Sequence, residues 1–502
     1  MRTGRNLLAG VLGSVLTTLV GLAVIPLYLS YLGVEAYGVI GFFATTQALL
    51  TLLDMGIAPT INREIARCTA SGSMPDARKL LRSLELVNWT VAAVVGTAIA
   101  VAADLVASHW LQSRSLSPTT LSASVMLMGL VIALRWPVAL YQAALNGMHR
   151  LDLANTISVS ITTLGSLGAV AFLAAVSSRL ETFFLWQAGV AVVYMLVMRR
   201  FAWKTVGRDS DTRFDAASIG RVWRFSAGLS GIAVSALVLT QLDKVLLSRL
   251  LPLHEFGHYM LATTIAGGFS AVLFLPTFNV VYPLFSSLAV KGDTAELERS
   301  YRLGTRLLVS ALFPLVMLLV LLSHDLLFLW TGNHEIASGV APLLTLLALG
   351  AGLHGIMYFP YALQLAYGVT RLPLQINGLL LVFMVPLILF LATTYGAVGG
   401  ALAWVVLNAI YIPLGTWLTH RELLPRIGAR WLIVDVGIPA VITLIIGAVG
   451  AMLTQLAASP AVRVAYGVGC AATAALLCLL SSPSLHAASR QWFERRLATV
   501  AR

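Results

Sequence analysis

Charge is what this sequence lacks. Only 11 % of its 502 residues are Asp, Glu, Lys or Arg, and 58 % are hydrophobic, where an ordinary soluble domain carries about 25 % charged residues. A soluble globule is excluded by that shortage. Strict apolar–polar alternation is missing too: the apolar stretches run 17 to 27 residues, which suits membrane helices rather than an outer-membrane barrel, whose strands are about 10 residues long. Cysteine is scarce. Cys68 falls in a polar connection, while Cys470 and Cys478 share one apolar stretch, so neither a disulfide scaffold nor a metal cluster is expected. Phosphate loop, dinucleotide fingerprint and nucleophile elbow are all absent, which argues against direct ATP hydrolysis and leaves no cofactor to expect. No loop is long enough to fold alone, so any activity resides within the membrane.

What is present is a succession of apolar spans. Fourteen are expected: 7–32, 38–61, 83–107, 119–144, 155–177, 182–198, 225–250, 258–283, 304–329, 338–364, 372–394, 399–418, 432–457 and 463–481. The first, about 26 residues long and without a small-residue cleavage site, is too long for a cleaved signal. The net charge of +12 points to membrane sidedness rather than to nucleic acid. With the N-terminus inside, 27 of the 33 Lys and Arg fall on the inner side and only Arg114, Arg179, Arg249 and Arg463 on the outer. The positive-inside rule then puts both termini in the cytoplasm of a multi-pass protein.

The spans repeat. Gly147-x-x-Arg150-Leu151-x-Leu153 returns as Gly368-x-x-Arg371-Leu372-x-Leu374, an offset of 221 residues. Ser30-Tyr31-Leu32 with Tyr37-Gly38 matches Ser248-Arg249-Leu250 with Phe256-Gly257, and Asp104 with Trp110 matches Asp325 with Trp330, all near the same spacing. The expected organisation is an all-α polytopic protein of two six-helix lobes plus a terminal pair: 1–198, a basic linker at 199–224, 225–418, and 419–502 with the last two helices and a basic tail. Six is even, so the lobes enter the membrane in one orientation, a design in which substrate binds between repeats that rock.

Against this apolar background a few polar groups stand out as site candidates, because an ionisable residue in a span costs roughly 2.5–3.5 kcal/mol on insertion scales. Span seven carries Gln241, Asp243 and Lys244. Adjacent helical residues point about 100° apart, so one charge is expected to face a lumen and the other a neighbouring helix, a structural ion pair being the plainer reading. Asp54 in Leu52-Leu53-Asp54-Met55-Gly56, with Arg63 and Glu64 at the inner end of span two, either couples an ion or caps a helix break near Gly56 and Pro59. Arg135 precedes Pro137 and Tyr141 in span four; its planar fork suits phosphate, or carbonyls freed by the proline. Asn279 and His354 are further lumen candidates, and Trp110 and Trp330 read as interface anchors.

His254-Glu255-Phe256-Gly257-His258 fits the zinc-protease pattern H-E-x-x-H. It is expected to be a turn: it follows Pro252, contains a glycine, and its repeat counterpart Glu35-Ala36-Tyr37-Gly38 has no histidine. No metal site is expected.

These residues together resemble the polysaccharide transporter, or Wzx-type oligosaccharide-lipid flippase, branch of the MOP (multidrug/oligosaccharidyl-lipid/polysaccharide exporter) superfamily. The resemblance covers essentially the whole chain. It is carried by Tyr31-Leu32-Gly33-Val34-Glu35-Ala36-Tyr37-Gly38, Leu53-Asp54-Met55-Gly56, Gly147-x-x-Arg150, Asp243-Lys244, Tyr282-Pro283-Leu284-Phe285-Ser286 and Leu329-Trp330-Thr331-Gly332, in that order. The resemblance implies two lobes around a cationic lumen in the bacterial inner membrane. It implies an undecaprenyl-pyrophosphate-linked oligosaccharide as cargo, moved from the cytoplasmic to the periplasmic leaflet. Membrane lipids, a polysaccharide polymerase and chain-length machinery are the implied partners, and nucleic acid is not. Arg135 and Lys244 are then candidates for the head group, with Arg63, Gln241, Tyr141, Asn279 and His354 beside them, and Asp54 or Asp243 for coupling to a proton or sodium ion. The terminal helix pair departs from the twelve-helix form and leaves a peptidoglycan-precursor subfamily open. A drug exporter of the same superfamily is the nearest alternative, and a membrane-embedded glycan enzyme the alternative from another class.

Overall fold

The computed structural model describes residues 2–54, 57–207 and 214–481. Among them the chain is helical, with no strand: α1 (Arg2–Leu50), α2 (Ile57–Ala70), α3 (Met74–Leu105), α4 (Pro118–Gly147), α5 (Leu151–Ala175), α6 (Leu180–Val206), α7 (Ala216–Leu250), α8 (Leu253–Lys291), α9 (Thr294–Thr331), α10 (His334–Ile356), α11 (Tyr358–Ala366), α12 (Arg371–Leu423), α13 (Ile438–Leu456) and α14 (Pro460–Leu480). Ten described segments are long and apolar enough to cross a membrane. Two of these, α1 and α12, each hold two expected spans, and with α7 and α8 they account for the fourteen. The bends within α1 and α12 fall at Gly33 (φ 80°) and Gly396 (φ 59°, ψ −138°), backbone that a residue with a Cβ resists.

Span two departs from a simple helix. α1 gives way to a 3₁₀ turn at Thr51–Asp54, and α2 restarts with Pro59 in its first turn, where the missing N–H costs nothing. Met55 and Gly56, where the break was expected, lie outside the described residues. Cys68, expected in a polar connection, lies instead in α2 and is buried, because α2 extends to Ala70 and turns that face inward. The basic linker is shorter than expected: α6 runs on to Val206 and α7 begins at Ala216, which makes Arg199, Arg200 and Lys204 helical. Asp209, Asp211, Arg208 and Arg213 lie outside the described residues.

The chain divides into two compact units, Met1–Met260 and Leu261–Arg502. The first unit has its core among α2, α3, α4, α5 and α6, around Ile61, Leu81, Tyr141, Ile157 and Met198. The second packs α8, α9, α10, α11 and α12 around Phe285, Tyr301, Leu312, Phe359 and Trp431. α14 lies on α9, where Met317, Cys470 and Ala474 form a smaller cluster. Large apolar side chains such as Val101, Phe390, Leu444 and Leu456 are mostly exposed; the lipid tails are their solvent.

Connections of the first unit are tied by polar bonds. Glu35, buried just past the Gly33 bend, accepts from Ser113 Oγ (2.6 Å), Ser115 Oγ (2.7 Å) and Ser115 N (3.0 Å) in the α3–α4 loop. That loop also accepts from Leu253 N through Gln112 O (2.7 Å), and Gln112 Nε2 donates to Arg249 O (3.0 Å). One short loop thus holds the bend of α1, the end of α7 and the start of α8.

The His254–His258 stretch is not a turn, contrary to the reading from sequence. It forms the first turns of α8, with the two imidazoles edge to face at 4.5 Å and His258 buried. The glycine within it has a packing reason: a Cβ on Gly257 would lie 2.3 Å from Val34 O. Its repeat counterpart Gly38 meets the same contact, since a Cβ there would lie 2.8 Å from Leu253 O and 3.2 Å from Gly257 N. Repeat-related glycines are thus neighbours, and α1 and α8 touch backbone to backbone. Among the described residues no group of three or more His, Cys, Asp or Glu is placed to hold a metal ion.

Gly257→Val should therefore lower thermal stability in detergent by about 1–3 kcal/mol, as overpacking does. Gly267→Ala, where a Cβ would meet nothing within 4 Å, should leave the melting temperature unchanged. Equal effects of the two would refute the close-approach account.

Candidate functional site: charged and polar groups within the apolar helices

α7 presents its acid and base one residue apart, and the two meet. Lys244 folds its four-carbon stem back so that Nζ donates to Asp243 Oδ1 (3.1 Å), Asp243 Oδ2 (3.3 Å) and Thr240 O (2.7 Å). Tyr259 of α8 donates to Asp243 Oδ2 at 2.5 Å. The expectation that these charges point to different surroundings is corrected here: the 100° between adjacent Cβ vectors is smaller than the reach of a lysine stem. Asp243 is buried and Lys244 is 13 % exposed at its side chain, so the pair is mostly internal. Gln241, one turn earlier, is partly exposed.

Arg135 has no such partner. Its Nη2 donates to Gln187 Oε1 of α6 at 3.0 Å, and its buried Nε finds no acceptor. No carboxylate lies within ion-pair distance among the described residues. The carbonyls near Pro137 do not take it up either. Gln187 in turn reaches Gly165 O of α5 (3.4 Å), and Ser158 of α5 bonds Tyr194 of α6 (2.8 Å). A polar layer thus crosses α4, α5 and α6 with one uncompensated positive charge in it.

Tyr141 is not open to a lumen. It is fully buried and donates to Glu85 Oε1 of α3 at 2.7 Å. The same oxygen accepts from Arg199 Nε (2.7 Å) and Trp203 Nε1 (3.2 Å) of α6, and Oε2 accepts from Arg82 Nη1 (3.0 Å). Glu85 was overlooked in the sequence, although it is the lone acid between Asp76 and Asp104. The repeat carried a second signal: 221 residues beyond Glu85 and Arg199 stand Arg306 and His420.

Arg306 is the hub of the second unit. It is 1 % exposed on α9, and its Nε donates to Asp435 Oδ1 (3.0 Å), its Nη1 to Ser481 O (2.8 Å) and its Nη2 to Val434 O (2.8 Å). Arg302 adds a bond to Asp435 Oδ2 (2.8 Å). His420 bonds Tyr301 at 2.9 Å. Towards the far end of α9, Asp325 pairs with Arg463 of α14 at 3.3 Å. The terminal pair α13–α14 is therefore fastened near both ends of α9.

Of the remaining candidates, His354 Nδ1 bonds Asn408 Oδ1 of α12 at 2.9 Å, among Tyr358, Trp404 and Tyr411. Asn279 is exposed on α8. Arg63 is exposed and bridges Glu64 at 2.7 Å. The side chain of Asp54 lies outside the described part of the structure. The structure thus joins Asp243 to Lys244, places Tyr141 on Glu85, and keeps Arg135 apart from both groups within the first unit.

These features define a polytopic helical protein of the MOP transporter fold. Similar folds are the lipid II flippase MurJ in an inward closed conformation (TM-score 0.72, 12 % identity, 94 % of this chain and 98 % of that one) and an inward-facing multidrug resistance MATE transporter of the MOP superfamily (TM-score 0.67, 16 % identity, 81 % and 94 %). A Vibrio cholerae MATE transporter is similar as well (TM-score 0.57, 15 % identity, 84 % and 97 %). No curated protein sequence matches. The polysaccharide biosynthesis protein family model matches residues 3–289, and the chain belongs to that family. The solved structures that it resembles are those of transporters and a flippase.

Removing one member of a buried ion pair costs about 3–5 kcal/mol, whereas replacing both by apolar residues is often neutral. Asp243→Asn should accordingly lower the melting temperature in detergent sharply, and Asp243→Asn with Lys244→Met should recover most of the loss. Equal destabilisation in the single and double variants would show that the pair is not the cause.

Proposed function

We propose that the protein is a flippase of the bacterial inner membrane, with both termini in the cytoplasm. Its cargo is an undecaprenyl-pyrophosphate-linked oligosaccharide, a repeat unit of O-antigen, exopolysaccharide or capsule, carried to the periplasmic leaflet by alternating access. Such a lipid has a pyrophosphate and a glycan that cannot cross about 30 Å of hydrocarbon unaided, and an isoprenoid tail that can remain in lipid. The protein has only to shelter the head.

The carrying observation is the balance of charge within the apolar helices. Asp243 is matched by Lys244, Glu85 by Arg199 and Asp435 by Arg302 and Arg306, while Arg135 has only the neutral Gln187. An unmatched cation in the membrane favours an anionic cargo. Family membership supports the same reading. A drug exporter for organic cations would be expected to leave a carboxylate unmatched instead. Asp54 and Asp243 remain the proposed points of coupling to a proton or sodium gradient, and a polysaccharide polymerase with its chain-length machinery the proposed partners.

The test is movement of a labelled undecaprenyl-pyrophosphate oligosaccharide in proteoliposomes, followed by its exposure to an external glycosidase. Arg135→Gln, which keeps a bond to Gln187 but removes the charge, should slow movement about tenfold or more, the worth of one charge-assisted bond. Arg135→Lys should retain part of the rate. Wild-type transport of organic cations without movement of the glycolipid would favour the exporter.

A further inference from the structure

The second unit holds a cluster of aromatic rings on α8, α10, α11 and α12. α10 stops at Ile356 because Pro360, four residues on, has no N–H to offer its carbonyl. Met357 makes the turn, and α11 then fans Tyr358 and Tyr361 away from the α10 axis. Tyr358 stacks on Phe274 of α8, with centroids 4.3 Å apart. Tyr361 stacks on Phe278 at 6.0 Å, and Phe278 lies parallel to Tyr282 (5.6 Å, 3°). His354 bridges to Tyr411 of α12 at 6.1 Å.

Two properties separate this cluster from ordinary core packing. The first is that the hydroxyls of Tyr282, Tyr358, Tyr361 and Tyr411 bond to no protein group among the described residues, yet none is sealed off. Tyr282 is 38 % exposed, and Tyr358, Tyr361 and Tyr411 are partly exposed. A membrane protein that merely needed apolar surface here would use phenylalanine, because an idle hydroxyl in a dry place costs free energy. The second is the absence of charge. The stretches 274–282, 350–366 and 404–412 contain no Asp, Glu, Lys or Arg.

Those properties sort the ligands. A pyrophosphate would require cations, and an organic cation would gain most from a carboxylate beside the rings. An isoprenoid chain would leave the hydroxyls unpaired. A neutral pyranose suits all of it: its C–H face, slightly positive, rests on the negative face of an aromatic ring, and its hydroxyls exchange bonds with free phenols. The exposed Asn279 on α8 adds an amide donor and acceptor beside Tyr282.

Resting on the flippase reading, we propose that Phe278, Tyr282, Tyr358, Tyr361 and Tyr411, with His354 behind them, form a binding site for a neutral sugar of the cargo. In the proposed sidedness these stretches reach from the middle of the membrane towards the cytoplasmic side, from which the glycan enters.

The experiment is saturation-transfer NMR on the purified full-length protein in detergent, with methyl glycosides of glucose, galactose, mannose, rhamnose and N-acetylglucosamine, and tetraphenylphosphonium as the cation probe. At least one glycoside should bind, with saturation strongest on one face of its ring. Phe278→Ala should weaken it about tenfold, the scale of one aromatic contact plus its buried area. Tyr361→Phe removes a single oxygen that bonds to no protein group among the described residues, so it breaks no contact that holds the fold; it should weaken binding about threefold, the worth of one hydrogen bond. No glycoside binding in the wild type, binding unchanged in both variants, or binding of tetraphenylphosphonium alone would overturn the sugar site. Glycolipid movement measured on the same preparation separates the two ideas. Movement without dependence of glycoside binding on the cluster refutes only the sugar site, and cluster-dependent glycoside binding without movement refutes only the flippase.

Discussion

A charge inside about 30 Å of hydrocarbon has no water to turn to, so protein groups must supply its counter-charge and its hydrogen bonds. Much of this structure follows from that constraint. Glu85 gathers donors from α3, α4 and α6, and in doing so fixes the order in which those helices stand. Arg306 does the converse with acceptors from the segment before α13 and from the end of α14. The two hubs occupy equivalent places in the repeat with the sign of charge reversed. Duplication kept the position and the need for a partner, while the partners diverged.

Because the hubs satisfy themselves, the groups left over carry more meaning. Arg135 is held by an amide rather than by a carboxylate, and four tyrosine hydroxyls in the second unit bond to no protein group among the described residues. Among the described residues Glu85, Asp243 and Asp435 are each met by a cation. An unmatched cation suits a pyrophosphate and a neutral aromatic surface suits a sugar ring, and each links the packing of its own unit to the proposed transport.

Helix number and the membrane setting were legible in the sequence, because hydropathy acts locally; the short connections expected after Leu32 and after Thr394 proved to be bends at Gly33 and Gly396 within continuous helices. The sequence match of Gly38 with Gly257 has a counterpart in their contact. Side-chain partnerships were not legible. Lys244 turned back to Asp243 because a flexible stem ignores the angular spacing of the backbone. Tyr141, counted with the lumen candidates, proved fully buried, since which face of α4 meets α3 is set by packing partners far along the chain. Arg199 looked like part of a solvated linker until α6 was seen to run through it. The H-E-x-x-H stretch misled in another way: its glycine reads as a turn, yet it serves a helix that touches the backbone of α1.

The most direct measurement is made in cells whose chromosomal copy has been deleted, by asking which leaflet holds the lipid-linked oligosaccharide. The account predicts that the intermediate accumulates on the cytoplasmic face, with surface glycan lost and both restored by the wild-type chain but not by Arg135→Gln. Surface glycan made at the normal rate without the protein, together with a new sensitivity to toxic organic cations, would contradict it.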